Sequence, residues 1–98
     1  MSINRIESIL MEMWSNMFEK ADISVNDDFF DLGGHSLLAA QLVTQIRETF
    51  KVEMSLLLFF DNPTITELAK SISEMGVNME EVSFEGKKSN QFTLDQIL

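Results

Sequence analysis

Between Ile3 and Phe18 the apolar residues Ile3, Ile6, Leu10, Met13, Trp14 and Met17 recur at steps of three and four, the spacing that lines one face of a helix. A first helix with a single buried stripe is predicted there. From Lys20 to His35 the rhythm breaks: Asp, Asn, Ser and Gly dominate, and the apolar anchors Ile23, Val25, Phe29, Phe30 and Leu32 are scattered. That pattern predicts a long loop, and loops of this length within a compact domain are mostly functional.

The helical period returns at Ser36, with Leu38, Leu42, Ile46 and Phe50 at four-residue steps and Ser36 placed to cap the first turn. The apolar run Met54–Phe60, closed by Asp61-Asn62-Pro63, fits a strand by composition and a short helical turn by topology; the turn is the simpler connection between helices. After Pro63, Thr64 and Glu67 form a capping box, Ile65, Leu68, Ala69 and Ile72 share a face, and Gly76 closes the last helix. Beyond it the periodicity is lost, so a domain over residues 1–76 and a linker or docking tail over 77–98 are expected. The terminal Phe92, Leu94, Ile97 and Leu98 are too few to make a core, and are expected to be disordered in isolation or to dock on a partner by induced folding.

Ninety-eight residues with 45% hydrophobic content suffice for one small domain. Seven Met, one Pro and no Tyr or Cys favour helices packed through flexible side chains, an all-α fold. The lack of cysteine excludes disulfides, a CxxC redox centre and a thiolate metal site, and the single histidine, His35, cannot build a zinc site alone. The start MSINRIESIL carries no secretion signal, and the longest apolar stretch, Leu56–Phe60, is too short to span a bilayer; a soluble cytoplasmic protein without membrane contact is expected. A net charge of −9 repels nucleic acid and anionic membranes and attracts basic protein surfaces, though the same acidity also serves solubility.

One stretch concentrates candidate chemistry: Asp27-Asp28-Phe29-Phe30-Asp31-Leu32-Gly33-Gly34-His35-Ser36-Leu37. Its glycine pair permits unusual backbone angles and clears bulk from around the serine hydroxyl, while the helix start offers free N–H groups and a partial positive charge suited to a phosphate ester. On position alone Ser36 is most often read as an N-cap. A catalytic serine needs an oriented general base, and the adjacent His35 diverges from it at a helix start. A calcium loop opening at Asp28 would put Phe30, Leu32 and Ala39 at ligand positions, which fails, and there is no GxxxxGK[ST] phosphate loop.

The DDFFDLGGHSLLA stretch resembles the peptidyl carrier protein family, whose DxFFxLGGHSL segment presents the serine that receives 4′-phosphopantetheine. The resemblance runs over about residues 5–75, taking in Trp14, QLVTQIRETF and LLLFFDNPTITELAKSI. It implies a four-helix carrier-protein bundle with a long first loop and short third helix, and Ser36 as the covalent attachment point. Lys51 stands where the family usually has glycine, which bears on the local turn only. The GGHS form is closer to peptidyl carriers than the LGxDSL of fatty-acid and polyketide acyl carriers, so an aminoacyl, aryl or peptidyl thioester cargo in nonribosomal peptide synthesis is implied. The alternatives are an acyl carrier and an unmodified acidic interaction module.

The resemblance further implies a domain without catalytic residues or a metal of its own. Its implied partners are a phosphopantetheinyl transferase with Mg²⁺, adenylation, condensation or other synthetase domains, and, through docking of residues 88–98, a downstream synthetase chain. Nothing requires more than a monomer. Candidate partner contacts are His35, Leu37, Leu38 and Gln41 around the serine, the run Met54–Phe59 near the third helix, with Met54 and Leu57 singled out, and Phe92, Leu94 and Ile97 in the tail.

Overall fold

The computed structural model describes residues 2–78 together with 80 and 82. Its helices follow in chain order: α1 (Ser2–Phe18), α2 (Ser36–Phe50), α3 (Leu56–Asp61) and α4 (Ile65–Glu74). α1 packs mainly on α4, and α2 on α3. The all-α expectation holds, including the helical third element; among the described residues the one departure toward sheet is an isolated antiparallel bridge between Asp28 and Thr64.

Local chemistry sets the helix ends. α1 stops at Glu19, left-handed at φ 56°, and the Lys20 N–H reaches back to the Ser15 carbonyl at 3.2 Å, a Schellman closure. α2 stops at Lys51 (φ 58°, ψ 45°), whose N–H donates to the Arg47 carbonyl. Lysine thus takes the left-handed position where glycine would be unstrained. α3 begins two residues later than the apolar run, because the Ser55 hydroxyl accepts the Leu58 N–H at 3.0 Å and caps it. At its other end the Asn62 side-chain amide donates to the Leu58 carbonyl at 2.9 Å.

Thr64 caps α4, its hydroxyl accepting the Glu67 N–H at 3.2 Å. The expected box is closed differently from its usual form: the Glu67 carboxylate accepts from the Thr64 hydroxyl, not from the backbone N–H of the cap.

The core joins Ile6, Leu10, Met13 and Trp14 of α1 to Leu42, Val43, Ile46 and Phe50 of α2, Phe59 of α3, and Ile65, Leu68, Ala69 and Ile72 of α4. In α2 the buried face is Ala39, Leu42, Val43, Ile46 and Phe50, while Leu38 sits half-buried at its edge. Steps of four overshoot a turn of about 3.6 residues, so a stripe counted only by fours drifts off the core, and the step through Ala39 and Val43 restores it. Packing also continues past the boundary expected at residue 76: Val77 and Val82 lie against the core.

Candidate functional site

The loop between α1 and α2 is tied down along its length. Ser24 and Asp27 brace each other, the Ser24 N–H donating to the Asp27 carboxylate at 2.9 Å and the Asp27 N–H to the Ser24 carbonyl at 3.0 Å. Asp28 Oδ1 accepts the N–H of Phe30 at 2.8 Å and that of Asp31 at 3.4 Å, an Asx turn that starts a tight coil. In that coil the Leu32, Gly33 and Gly34 N–H groups bond back to the carbonyls of Asp28, Phe30 and Phe29 respectively.

The two glycines are required for different reasons. Gly33 has φ +107° with open space where a Cβ would be, so it answers a backbone demand that other residues meet only with strain. Gly34 has no such angle, but a Cβ there would collide with the Phe29 ring. The sequence alone suggests one joint purpose for both glycines; the structure separates a conformational need at Gly33 from a packing need at Gly34.

His35 is extended (φ −149°, ψ −178°) and holds the N-cap position without a side-chain cap bond; its carbonyl accepts the Ala39 N–H at 2.8 Å. Ser36 is therefore the first helical residue and not the cap. Its exposed hydroxyl has no hydrogen-bond partner among the described residues. The N–H groups of Ser36, Leu37 and Leu38 precede the first intrahelical donor, Ala39, and remain open, and they carry the positive end of the helix dipole. A free hydroxyl beside open N–H donors, reached past a bare Gly33, suits a phosphodiester at this oxygen.

The other candidates fall into three groups. His35 is exposed, Leu37 is 52% and Leu57 71% exposed, and Leu38 and Gln41 are half-buried, so these five border solvent near the start of α2 or on α3. Met54 does not join them: it is 1% exposed and precedes the Ser55 cap, whereas Leu56 and Leu57, the first residues of α3, are exposed. Phe92, Leu94 and Ile97 lie outside the described residues.

Sequence reasoning missed Phe30 and Phe60, while Leu56 falls within the run Met54–Phe59 that it offered. Phe30 reads as a loop anchor, yet it and Phe60 each remain more than a third exposed, with ring centroids 5.7 Å apart, and Leu56 is exposed beside them on α3. The signal was present in LLLFF, since a helix cannot turn five consecutive apolar residues inward. A shallow depression lined by Thr44, Arg47, Glu48, Lys51, Val52 and Glu53 lies toward the opposite end of α2 from Ser36. Among the described residues no helix is long and apolar enough to cross a membrane.

Comparison with known proteins agrees with this geometry. Residues 8–72 match the family model described as "Phosphopantetheine attachment site". The chain is 44% identical over 69 residues to gramicidin S synthase 2 of Brevibacillus brevis, covering 70% of this chain and 2% of that one. It is 41% identical over 70 residues to tyrocidine synthase 3 of Brevibacillus parabrevis, covering 71% and 1%. It thus spans only one to three per cent of the length of such curated relatives. Among solved structures it is similar to a peptidyl carrier protein in complex with the phosphopantetheine transferase Sfp and coenzyme A (TM-score 0.67, 35% identity, 70% of this chain and 90% of that one). It is also similar to a non-covalent extended docking domain complex of the Pax synthetase (TM-score 0.67, 38% identity, 71% and 67%). With a helical bundle, a matched attachment-site model and carrier relatives of this similarity, the chain belongs to the phosphopantetheine-attachment family, as a peptidyl carrier domain of the nonribosomal peptide synthetase type.

Proposed function

We propose that Ser36 is the residue that bears the 4′-phosphopantetheine arm, and that the domain carries an aminoacyl, aryl or peptidyl cargo as a thioester on it. The observation that carries this reading is the exposed, unbonded Ser36 hydroxyl at the first turn of α2, at the serine of the GGHS motif within the matched region. In modification the serine oxygen loses its proton and bonds to the pantetheine-side phosphorus of coenzyme A, while the nucleotide bisphosphate leaves. Once attached, the arm supplies a terminal thiol that holds acyl groups as thioesters. The chain's own residues hold the hydroxyl outward, keep the N–H groups at the start of α2 open to phosphate oxygens, and anchor the loop.

On this reading the domain performs no catalysis. It keeps its cargo at high effective concentration near successive partners, and small contact surfaces let it leave each one. Its partners are a phosphopantetheinyl transferase and adenylation or condensation domains, met through His35, Leu37, Leu38, Gln41, Leu57 and the exposed Phe30, Leu56 and Phe60. Coenzyme A as donor places that work in the cytoplasm. Residues 88–98, with Phe92, Leu94 and Ile97, dock on a downstream synthetase chain, a reading supported by likeness to the Pax docking complex. Removing residues 83–98 then abolishes transfer to that chain without affecting Ser36 modification; unchanged transfer counts against docking.

Incubation of wild type and Ser36→Ala with coenzyme A, Mg²⁺ and a broad-specificity transferase, followed by intact-mass measurement, tests the main claim. Wild type gains one phosphopantetheinyl mass and Ser36→Ala gains none. An adduct that survives the substitution, or none on wild type, refutes it.

A further inference from the structure

The Phe29 side chain is fully buried and sits at the centre of the aromatic core. Its ring meets Trp14 at 5.3 Å, Phe18 at 5.2 Å, Phe30 at 5.2 Å and Phe59 at 4.9 Å between centroids, all edge to face. Four such neighbours from α1, the loop and α3 leave the ring little freedom to move. Its backbone is equally held: the N–H donates to the Pro63 carbonyl at 2.8 Å, and the carbonyl accepts from Leu32 and Gly34. The same ring occupies the space a Cβ on Gly34 would need, two residues before Ser36.

We propose that Phe29 is a positioning residue for Ser36: its fixed ring seats the Gly34 backbone, which sets where α2 begins and where the hydroxyl is presented. This inference rests on Ser36 as the attachment point. On this account residue 34 is glycine because of the Phe29 ring, and not because a modifying enzyme needs the room. A methyl group at 34 displaces the backbone from an immovable ring, and a displacement of that size at the reacting oxygen lowers the rate without removing any group the transferase touches.

The test is a set of modification rates for wild type, Gly34→Ala, Phe29→Leu and the double variant, using one transferase and coenzyme A, with folding checked by thermal unfolding and Trp14 fluorescence. Gly34→Ala lowers kcat/KM roughly tenfold to a hundredfold, chiefly in kcat. Phe29→Leu alone loosens the seat and lowers the rate by less than Gly34→Ala does; because its shorter branch can turn away from residue 34, the double variant rises to the rate of Phe29→Leu. A merely structural role gives the opposite order: Phe29→Leu removes ring contacts and weakens the core, so the double variant would be slower than either single.

Gly33→Ala is the control, because its cost is backbone strain in open space; Phe29→Leu leaves it unrescued. Should Gly34→Ala alone fail to fold, the double variant is compared with Phe29→Leu: equal rates support the inference, and a tenfold deficit overturns it. Wild-type rates for Gly34→Ala, or a double variant as slow as Gly34→Ala, overturn it while leaving the attachment reading intact. A wild-type chain without a Ser36-dependent adduct overturns both.

Discussion

The Phe29 N–H donates to the Pro63 carbonyl at 2.8 Å, joining the segment that leads to Ser36 to the approach of α4. Beside it the Thr66 N–H donates to the Val25 carbonyl at 3.1 Å, and the Thr66 hydroxyl is shared between that carbonyl and Asn26 Oδ1 at 3.2 Å each. The long loop is thus fastened to α4 at two points. Thr66→Val keeps the backbone bond and the side-chain shape but deletes the hydroxyl. It is expected to lower stability by about 0.5–1.5 kcal/mol in chemical denaturation and to leave the rate of Ser36 modification unchanged, because the Phe29 attachment stays in place.

Asp28 offers a sharper contrast, since one carboxylate oxygen accepts both the Phe30 and the Asp31 N–H. Asp28→Ala leaves both donors to solvent and is expected to cost about 1 kcal/mol. Asp28→Asn retains an acceptor oxygen and loses only the charge assistance, so it should recover most of that stability. Equal melting losses for the two variants would show that the turn does not depend on this acceptor.

α1, α2 and α4 are legible because each carries its own local signals, such as the three-and-four spacing of α1 and Thr64 three residues before Glu67 at the start of α4; the run that forms α3 carries no such period, and its helical reading comes from topology and resemblance. The site was legible as a motif and not as geometry. Ser36 looked like a cap because serines at helix starts usually are, but the extended backbone of His35 places the cap one residue earlier. By sequence Gly34 shares with Gly33 the role of permitting unusual backbone angles and clearing bulk from the hydroxyl, whereas its reason is a ring five residues away. Met54 looked exposed because an apolar run of no clear period does not say which residues precede the cap; Ser55 decides that. Such properties depend on where distant segments meet.

Lys51 closes α2 in the left-handed region at φ 58°, where a side chain costs energy that glycine avoids. Lys51→Gly is therefore expected to stabilise the domain by about 0.5–1 kcal/mol, offset in part by the greater freedom of glycine in the unfolded chain. The melting temperature should rise. A fall would mean that the lysine stem or its charge at the helix end contributes more than the strain removes.

Val77 and Val82 pack against the core, and the Glu80 N–H donates to the Asn78 side-chain oxygen at 3.0 Å between them. A chain ending at Gly76 should thus be less stable than one ending after Val82, by about 1–2 kcal/mol for two partly buried valines. Calorimetry of the two truncations distinguishes this from a fold complete at 76, for which the two would melt together.

Leu57 and Met54 lie three residues apart and are opposites in exposure, 71% against 1%. If Leu57 belongs to the partner surface, Leu57→Gln should keep stability within about 0.5 kcal/mol of wild type and still be modified at Ser36, yet load an amino acid from an adenylation domain about fivefold to tenfold more slowly, the loss of one apolar contact in a small interface. Met54→Ala should instead cost about 2–5 kcal/mol through the cavity it leaves, a large part of the total stability of a domain this small, and slow loading only as far as it unfolds the chain. Loading rates scaled by the folded fraction separate the two effects. After that correction Met54→Ala returns to wild type and Leu57→Gln does not; a Leu57 variant that loads normally would remove α3 from the contact surface.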